Sequence, residues 1–297
     1  MARIKTTNRS PVLLKYLTRL WHERACEAYA VECDRDLDIA PDADTVRFLI
    51  LGDTGSGSDN QRRVARASEQ TALEKGCDFV LFAGDNFIQT GITSIHDPQL
   101  DEKFESMYHL DLPFYAILGN HDLRGNWKAQ IDYTLHSRRW HLPGTNYHFN
   151  AGPVFIQAIN TTCSLRTLWQ IYRKSPRPWH MVVGHHPVIS SGRHGGMLPL
   201  ERIIVGMSPI DFFVSGHNHA LEHTHYRKFD QIVSGGGGSP IESARDARLK
   251  NTLFYRECHG YIWAEITADT AAFDYFDADG ETIYRFSKTR RIPASQV

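Results

Sequence analysis

The sequence lacks the marks of several protein classes. Its five cysteines, Cys26, Cys33, Cys77, Cys163 and Cys258, are odd in number and scattered, with no C-x-x-C pair. That pattern argues against a thiolate zinc site and a disulfide framework and fits a reducing compartment. No stretch approaches the ~18 consecutive apolar residues of a membrane span. The N-terminus has no secretory-signal core, because Pro11-Val12-Leu13-Leu14 is broken at once by Lys15. A soluble, cytoplasmic protein with no transmembrane segment is therefore expected. An excess of one charge is also missing: 33 Lys and Arg stand against 34 Asp and Glu, so no global field favours nucleic acid, and no specific nucleic-acid binding is expected. No internal repeat is visible. The 297 residues are enough to bury a sizeable core.

What is present begins with helical spacing. Over residues 11–31, Leu13, Leu14, Leu17, Leu20 and Trp21 recur among Lys15, Arg19 and Arg24, which predicts an amphipathic helix. Docking on the main domain, an interfacial membrane contact and oligomerisation through this helix are alternative uses of it. Residues 34–44 read as an acidic, proline-containing connector. The organisation expected is thus an N-terminal helix and linker over 1–44 and one domain over 45–297.

From residue 45 the pattern becomes short apolar runs that each end in glycine and a polar residue. A strand over 46–51 runs into Gly52-Asp53, and a helix over 59–75 follows with Asp59 as N-cap and Gly76 as its stop. Strands over 79–83, 114–118, 181–183 and 212–215 run into Gly84-Asp85-Asn86, Gly119-Asn120-His121, Gly184-His185-His186 and Gly216-His217-Asn218-His219. Loops after strands form the ligand crevice of α/β sheets, so these five ends are expected to converge. Strand-rich segments at 231–234, 261–267, 271–276 and 282–286 point to a second sheet packed on the first.

Taken singly each motif is ambiguous: Asp53 could cap a helix, His121 could sit in the core, and His185-His186 could be chance. As an ordered set, Asp53, Asp85, Asn120, His185, His217 and His219 mix a bridging carboxylate, hard oxygen donors and imidazoles, the donor set of a pair of first-row metal ions. In an extended His217-Asn218-His219 both rings project to one side. Two such ions ~3.5–4 Å apart activate water and neutralise charge in phosphoryl transfer.

These residues resemble the calcineurin-like metallophosphoesterases, and within them the small, mammalian-type purple (tartrate-resistant) acid phosphatases. The matching motifs are Gly52-Asp53-Thr54-Gly55, Gly84-Asp85-Asn86-Phe87, Gly119-Asn120-His121-Asp122, Gly184-His185-His186-Pro187 and Gly216-His217-Asn218-His219, with Phe104-Glu105, Gly125-Asn126, Ala129-Gln130-Ile131 and Arg139-Trp140 between them. The resemblance covers about 45–239 and not the N-terminal helix. It implies an α/β fold in which two mixed β-sheets form a sandwich flanked by α-helices, in four layers. It also implies a first metal held by Asp53, Asp85 and His219, ferric in the purple enzymes, and a second, divalent one held by Asp85, Asn120, His185 and His217. By the same resemblance His121 and His194 hold the phosphate and one protonates the leaving alkoxide. From its chemistry Asp122 is expected to orient His121 or raise its basicity, and Asn86 is expected, with Asp122, just outside the metal ligands.

One departure stands out. The iron-binding tyrosine of the purple enzymes falls at Ile88, and the histidine that the wider family uses falls at Gly55. Loss of the hard phenolate disfavours ferric iron, so two divalent ions, Fe, Mn or Zn, are expected in place of a ferric-tyrosinate centre, with no intense visible band. The expected activity is phosphomonoester hydrolysis of a small-molecule substrate, with metal-activated hydroxide as nucleophile. A phosphodiesterase or nucleotide hydrolase is the nearest alternative, and a weakly active, partner-binding relative the next. The loops over 91–101, 190–200 and 235–246 are expected to choose the substrate.

Overall fold

The structure, a computed structural model, describes residues 28–32, 36–162, 165–244 and 249–290. The helix predicted over 11–31 lies outside these except for residues 28–31. There the chain is not helical: Ala30 bridges Gly144 and the Val31 amide donates to the Pro143 carbonyl at 2.9 Å.

The chain lays down one sheet, then another, and returns to the first. β1 (Thr45–Leu51), β2 (Phe79–Phe82), β3 (Phe114–Ala116) and β4 (Trp140–His141) run parallel to one another. β5 (Asn146–Ala151), β6 (Val154–Ile159), β7 (Trp179–Gly184), β8 (Phe212–Ser215), β9 (Leu221–Tyr226), β10 (Phe229–Ser234) and β11 (Thr252–Arg256) make the second sheet, in the order β11-β9-β10-β8-β7-β6-β5. β12 (Gly260–Thr267), β13 (Thr270–Asp277) and β14 (Thr282–Thr289) then extend the first, giving β14-β13-β12-β1-β2-β3-β4. Of the segments expected in the second sheet, 231–234 lies there as β10, whereas 261–267, 271–276 and 282–286 belong to the first. β12 pairs antiparallel with β1 instead and is apolar on both faces, Ile262, Ala264 and Ile266 joining the core between the sheets and Tyr261 and Trp263 the cluster under helix α1 (Asp59–Lys75).

Apolar side chains on both faces of the central strands explain the four layers. On β1, Phe48 and Ile50 meet Phe149, Ile156, Met181, Val183, Phe212 and Ile232 of the opposing sheet. Leu49 and Leu51 point outward to Val64 and Ala65 of α1, and to Phe104 and Trp140. Helix α2 (Trp127–Asp132) lies on the same side and its Gln130 carbonyl accepts from the Trp140 indole at 2.8 Å. Helix α3 (Pro199–Gly206) covers the second sheet, with Ile204 and Val205 on Val182 of β7.

Two local expectations shift. α1 is capped by Ser58, not Asp59: Ser58 is extended (φ −81, ψ 167) and its hydroxyl accepts from the Gln61 amide at 3.3 Å. Asp59 sits in the first turn, where its charge suits the helix dipole. Gly76, at φ 86, stops the helix as expected. The described part of the connector is a strap: Ile39 bridges Ala151, Asp38 accepts from the Asn150 side chain at 2.8 Å, and Leu37 and Ile39 pack on the core.

Candidate metal centre

The polar ends of β1, β2 and β3 from one sheet and of β7 and β8 from the other meet at one rim of the sandwich. Backbone bonds lace their loops: the Asp53 amide donates to Gly84 (3.0 Å), the Gly55 amide to Asp85 (3.2 Å) and the Gly216 amide to His185 (3.1 Å). Asp53, Asp85 and His217 all sit at positive φ, 57°, 55° and 70°, a conformation that costs an L-residue about 1 kcal/mol or more. The 217–219 segment is accordingly a bend, not the extended run predicted from its spacing.

Asp53, Asp85 and His185 each place a ligand atom within 4.8 Å of the others, and all three are buried. Two buried carboxylates this close repel unless a cation lies between them. Asp53 Oδ2 accepts from the His217 amide at 2.8 Å, while Oδ1 accepts a hydrogen bond from no described residue. An orphaned carboxylate oxygen among O and N donors fits a first-row cation. His185 Nδ1 meets the Ala83 carbonyl at 2.9 Å. A donor there turns Nε2 into the ligating atom, and Nε2 lies 3.3 Å from Asp85 Oδ2 and 3.2 Å from Asn120 Oδ1.

The other predicted residues surround it. His219 Nε2 is 3.5 Å from Asp53 Oδ1, with Nδ1 fixed on the Pro240 carbonyl at 2.8 Å. The His217 ring is 5.1 Å from that of His185 and 4.3 Å from that of His186. His121 Nε2 stands 3.9 Å from Asp85 Oδ2, and its amide donates to Asp85 Oδ1 at 2.8 Å. His194 reaches the rim from its loop, its ring 5.0 Å from His217 and its amide on Asn218 Oδ1 at 2.9 Å.

Asp122 differs from expectation. Its carboxylate accepts from the amides of Asn86, Phe87 and Gly119 and from the Gln130 side chain, at 2.7 to 3.2 Å. His121 Nδ1 instead meets the Gln89 amide at 3.4 Å. Asp122 thus clamps the loop after β2 to the loop after β3, and the Asn86 side chain joins it by donating to the Ile117 carbonyl at 2.8 Å. Burial, and then the Asp85 charge, push Asp122 up to about 7.

Two residues at the rim carry signals the sequence reading did not use. Glu242 Oε2 lies 2.6 Å from His194 Nε2; it has no motif, only its place in the 235–246 loop. His186 was visible as the neighbour of His185 but had no assigned partner; its Nδ1 meets Thr161 Oγ1 at 3.1 Å.

Burial would lower the histidines, yet Asp85 pushes His185 up to about 9 and Asp53 does the same for His219. Without metal, protons stand in for the cation. This stabilisation is complete below the ordinary imidazole value and is lost as pH rises through about 9. A metal must displace those protons, so affinity for Mn(II), measured by competition titration, is expected to rise with pH up to about 9, about tenfold per unit for each proton released. A flat profile across that range would contradict this picture.

The departures at positions 55 and 88 have a steric side. A Cβ on Gly55 would lie 2.2 Å from the Asn86 carbonyl oxygen and 2.5 Å from the Phe87 amide nitrogen, so no side chain fits there while the Asp85 loop keeps its course. Ile88 is half-buried, its amide on the Gly55 carbonyl at 2.9 Å.

The profile of the family described as calcineurin-like phosphoesterase matches residues 46–221. Over 286 residues, 82% of this chain and 78% of the relative, the chain is 29% identical to purple acid phosphatase 3 of Arabidopsis thaliana. It is 26% identical over 300 residues to tartrate-resistant acid phosphatase type 5 of Homo sapiens, covering 83% and 91%. Among solved structures it superposes on GAP50, titled the anchor in the inner membrane complex of Plasmodium, with TM-score 0.75 and 22% identity over 85% of this chain and 91% of that one. It also superposes on purple acid phosphatase PPD1 from yellow lupin, with TM-score 0.68 and 15% identity over 84% and 55%. At such identities the two structures speak for the fold alone.

Proposed function

Starting from a chain that belongs to the calcineurin-like phosphoesterase family, is related to the purple acid phosphatases and carries a buried metal group, we propose that it hydrolyses phosphomonoesters with two divalent metal ions. The observation that carries this is the buried group of Asp53, Asp85 and His185, whose ligand atoms lie within 4.8 Å of one another. Asp53, Asp85 and His219 would hold one ion, and Asp85, Asn120, His185 and His217 the other. Ions bound there supply Lewis-acid charge to the phosphoryl oxygens and lower the pKa of water.

The chain's own contribution is positioning and a proton. His121 stands beside Asp85 and His194 beside His217, where an imidazolium both steadies phosphate charge and donates to the departing oxygen. Burial holds His121 below its ordinary value, although Asp85 opposes this. A His121 that must carry a proton therefore confines the rate to acid pH, and activity falls as pH rises through that lowered value.

Mn(II)-loaded protein assayed on monoesters and diesters side by side tests the reading, which fails if diesters alone are turned over. His121→Asn is expected to lower kcat on alkyl monoesters by about 100-fold or more, within the range of general acid catalysis. p-Nitrophenyl phosphate, whose leaving group needs no proton, should lose far less. Equal losses on both would remove His121 from the acid role.

A further inference from the structure

Next to the metal group the loops enclose a cavity of about 360 Å³ whose walls include Ser56, Ser58, Ile88, Gln89, Gly238 and Pro240. Ser56 and Ser58 follow Asp53 in the loop after β1, and Ile88 and Gln89 follow Asp85 in the loop after β2. The Gln89 amide donates to His121 Nδ1 at 3.4 Å, and the Pro240 carbonyl holds His219 Nδ1 at 2.8 Å. The Ile88 amide donates to Gly55, whose own amide donates to Asp85.

The hydroxyls in the wall are consumed by the wall. The Ser56 and Ser58 hydroxyls lie 2.8 Å apart and contact the Gly238 carbonyl at 2.9 and 3.1 Å, and Ser58 Oγ also accepts from the Gln61 amide. A hydroxyl has one proton, so neither serine has a donor left for a ligand. Among the described residues no charged side chain lines the cavity. What it offers a visitor is the Ile88 side chain, the Pro240 ring and glycine backbone, with the Asn60 and Gln89 amides as its polar groups. A site of this kind gains from apolar area removed from water and has few partners for a hydroxyl-rich ligand.

We propose that this cavity seats the alcohol portion of the substrate, that the substrate is a phosphoester of a small apolar alcohol, and that Ile88 sets this preference. The proposal rests on the phosphomonoesterase reading above, and binding separates the two. Isothermal titration of the Mn(II)-loaded full chain with phenylphosphonate and methylphosphonate, neither of which is hydrolysed, reads the cavity without turnover. Phenylphosphonate is expected to bind about tenfold tighter or better, the scale of a filled apolar pocket. Ile88→Asn should abolish that ratio and Ile88→Leu should retain it.

Equal binding of the two phosphonates, a ratio unchanged in Ile88→Asn, or no binding of either overturns the proposal. The expected ratio without turnover of phenyl phosphate leaves the cavity standing and overturns the phosphomonoesterase reading. Because Ile88 is half-buried, both variants should fold, and the conservative one reports on the site if the other does not.

Discussion

Replacing Asp85 with asparagine is expected to remove the bound metal and to lower turnover about a thousandfold or more, without unfolding the chain. Asparagine keeps the shape of the side chain and an acceptor for the His121 amide, which now bonds Asp85 Oδ1 at 2.8 Å. It deletes the charge. Burial by itself would raise Asp85, but His185 and His121 outweigh burial and hold it well below the usual carboxylate range, so the negative charge is a fixed feature of the rim. A cation facing Asp53 alone loses half of its anionic cradle, and losing even one charge-stabilising group at a reaction centre costs about 100- to 1,000-fold. In the metal-free protein a protonated His185 compensates Asp85, so Asp85→Asn without metal should melt below metal-free native protein, since removing one partner of a buried pair leaves the other without its counter-charge. Metal content after gel filtration, kcat and Tm in chelator check the three outcomes. Retained metal with near-native kcat would refute the assignment of Asp85 as the shared ligand.

Gly119→Ala is expected to do comparable damage to the site although residue 119 ligates nothing. Gly119 is not among the glycines at positive φ, so alanine can adopt its backbone and the effect is one of space. A Cβ there would lie 2.1 Å from Asp85 Oδ1 and 2.2 Å from the Asp85 amide nitrogen. Neither side can yield cheaply, because the Gly119 amide and the amides of Asn86 and Phe87 are all pinned on the Asp122 carboxylate. Overpacking of this kind costs about 1–3 kcal/mol, and displacement of a ligand by its support lowers metal affinity about 10- to 100-fold. Chemical denaturation with Mn(II) titration would measure both. Near-native metal affinity would show that the two loops are looser than their hydrogen bonds imply.

The parts of this molecule that were legible in the sequence are those written in contiguous residues. β1, β2, β7 and β8 are short apolar runs closed by glycine, and each was placed to within a few residues. β5 was not, because it is an edge strand whose Asn146, Tyr147 and Asn150 are half-buried and whose His148 is exposed. β9 was not either, since its apolar period is broken by Glu222 and His223. Glu222 is fully buried and is made tolerable by Ser190, Ser191 and Thr252, at 2.5, 2.9 and 3.1 Å, partners some thirty residues away. The role of Asp122 was misread for a related reason. Adjacency to His121 along the chain said nothing of which way the carboxylate turns, and it turns to the loop after β2.

By itself the sequence determined the family, the order of polar residues after the strands, and the loss of both extra ligands at Ile88 and Gly55, because each is a matter of which residue follows which. Tertiary structure alone decided that three of those strand ends belong to one sheet and two to the other, and that Asp53 and Asp85 close to within 4.8 Å of each other and of His185. It also decided that Gly55 has no room for a ligand and that Glu242 stands against His194. The physical reason is common to all of these: contacts across the gap between two sheets are set by packing and backbone course over tens of residues, and local residue patterns carry no record of them.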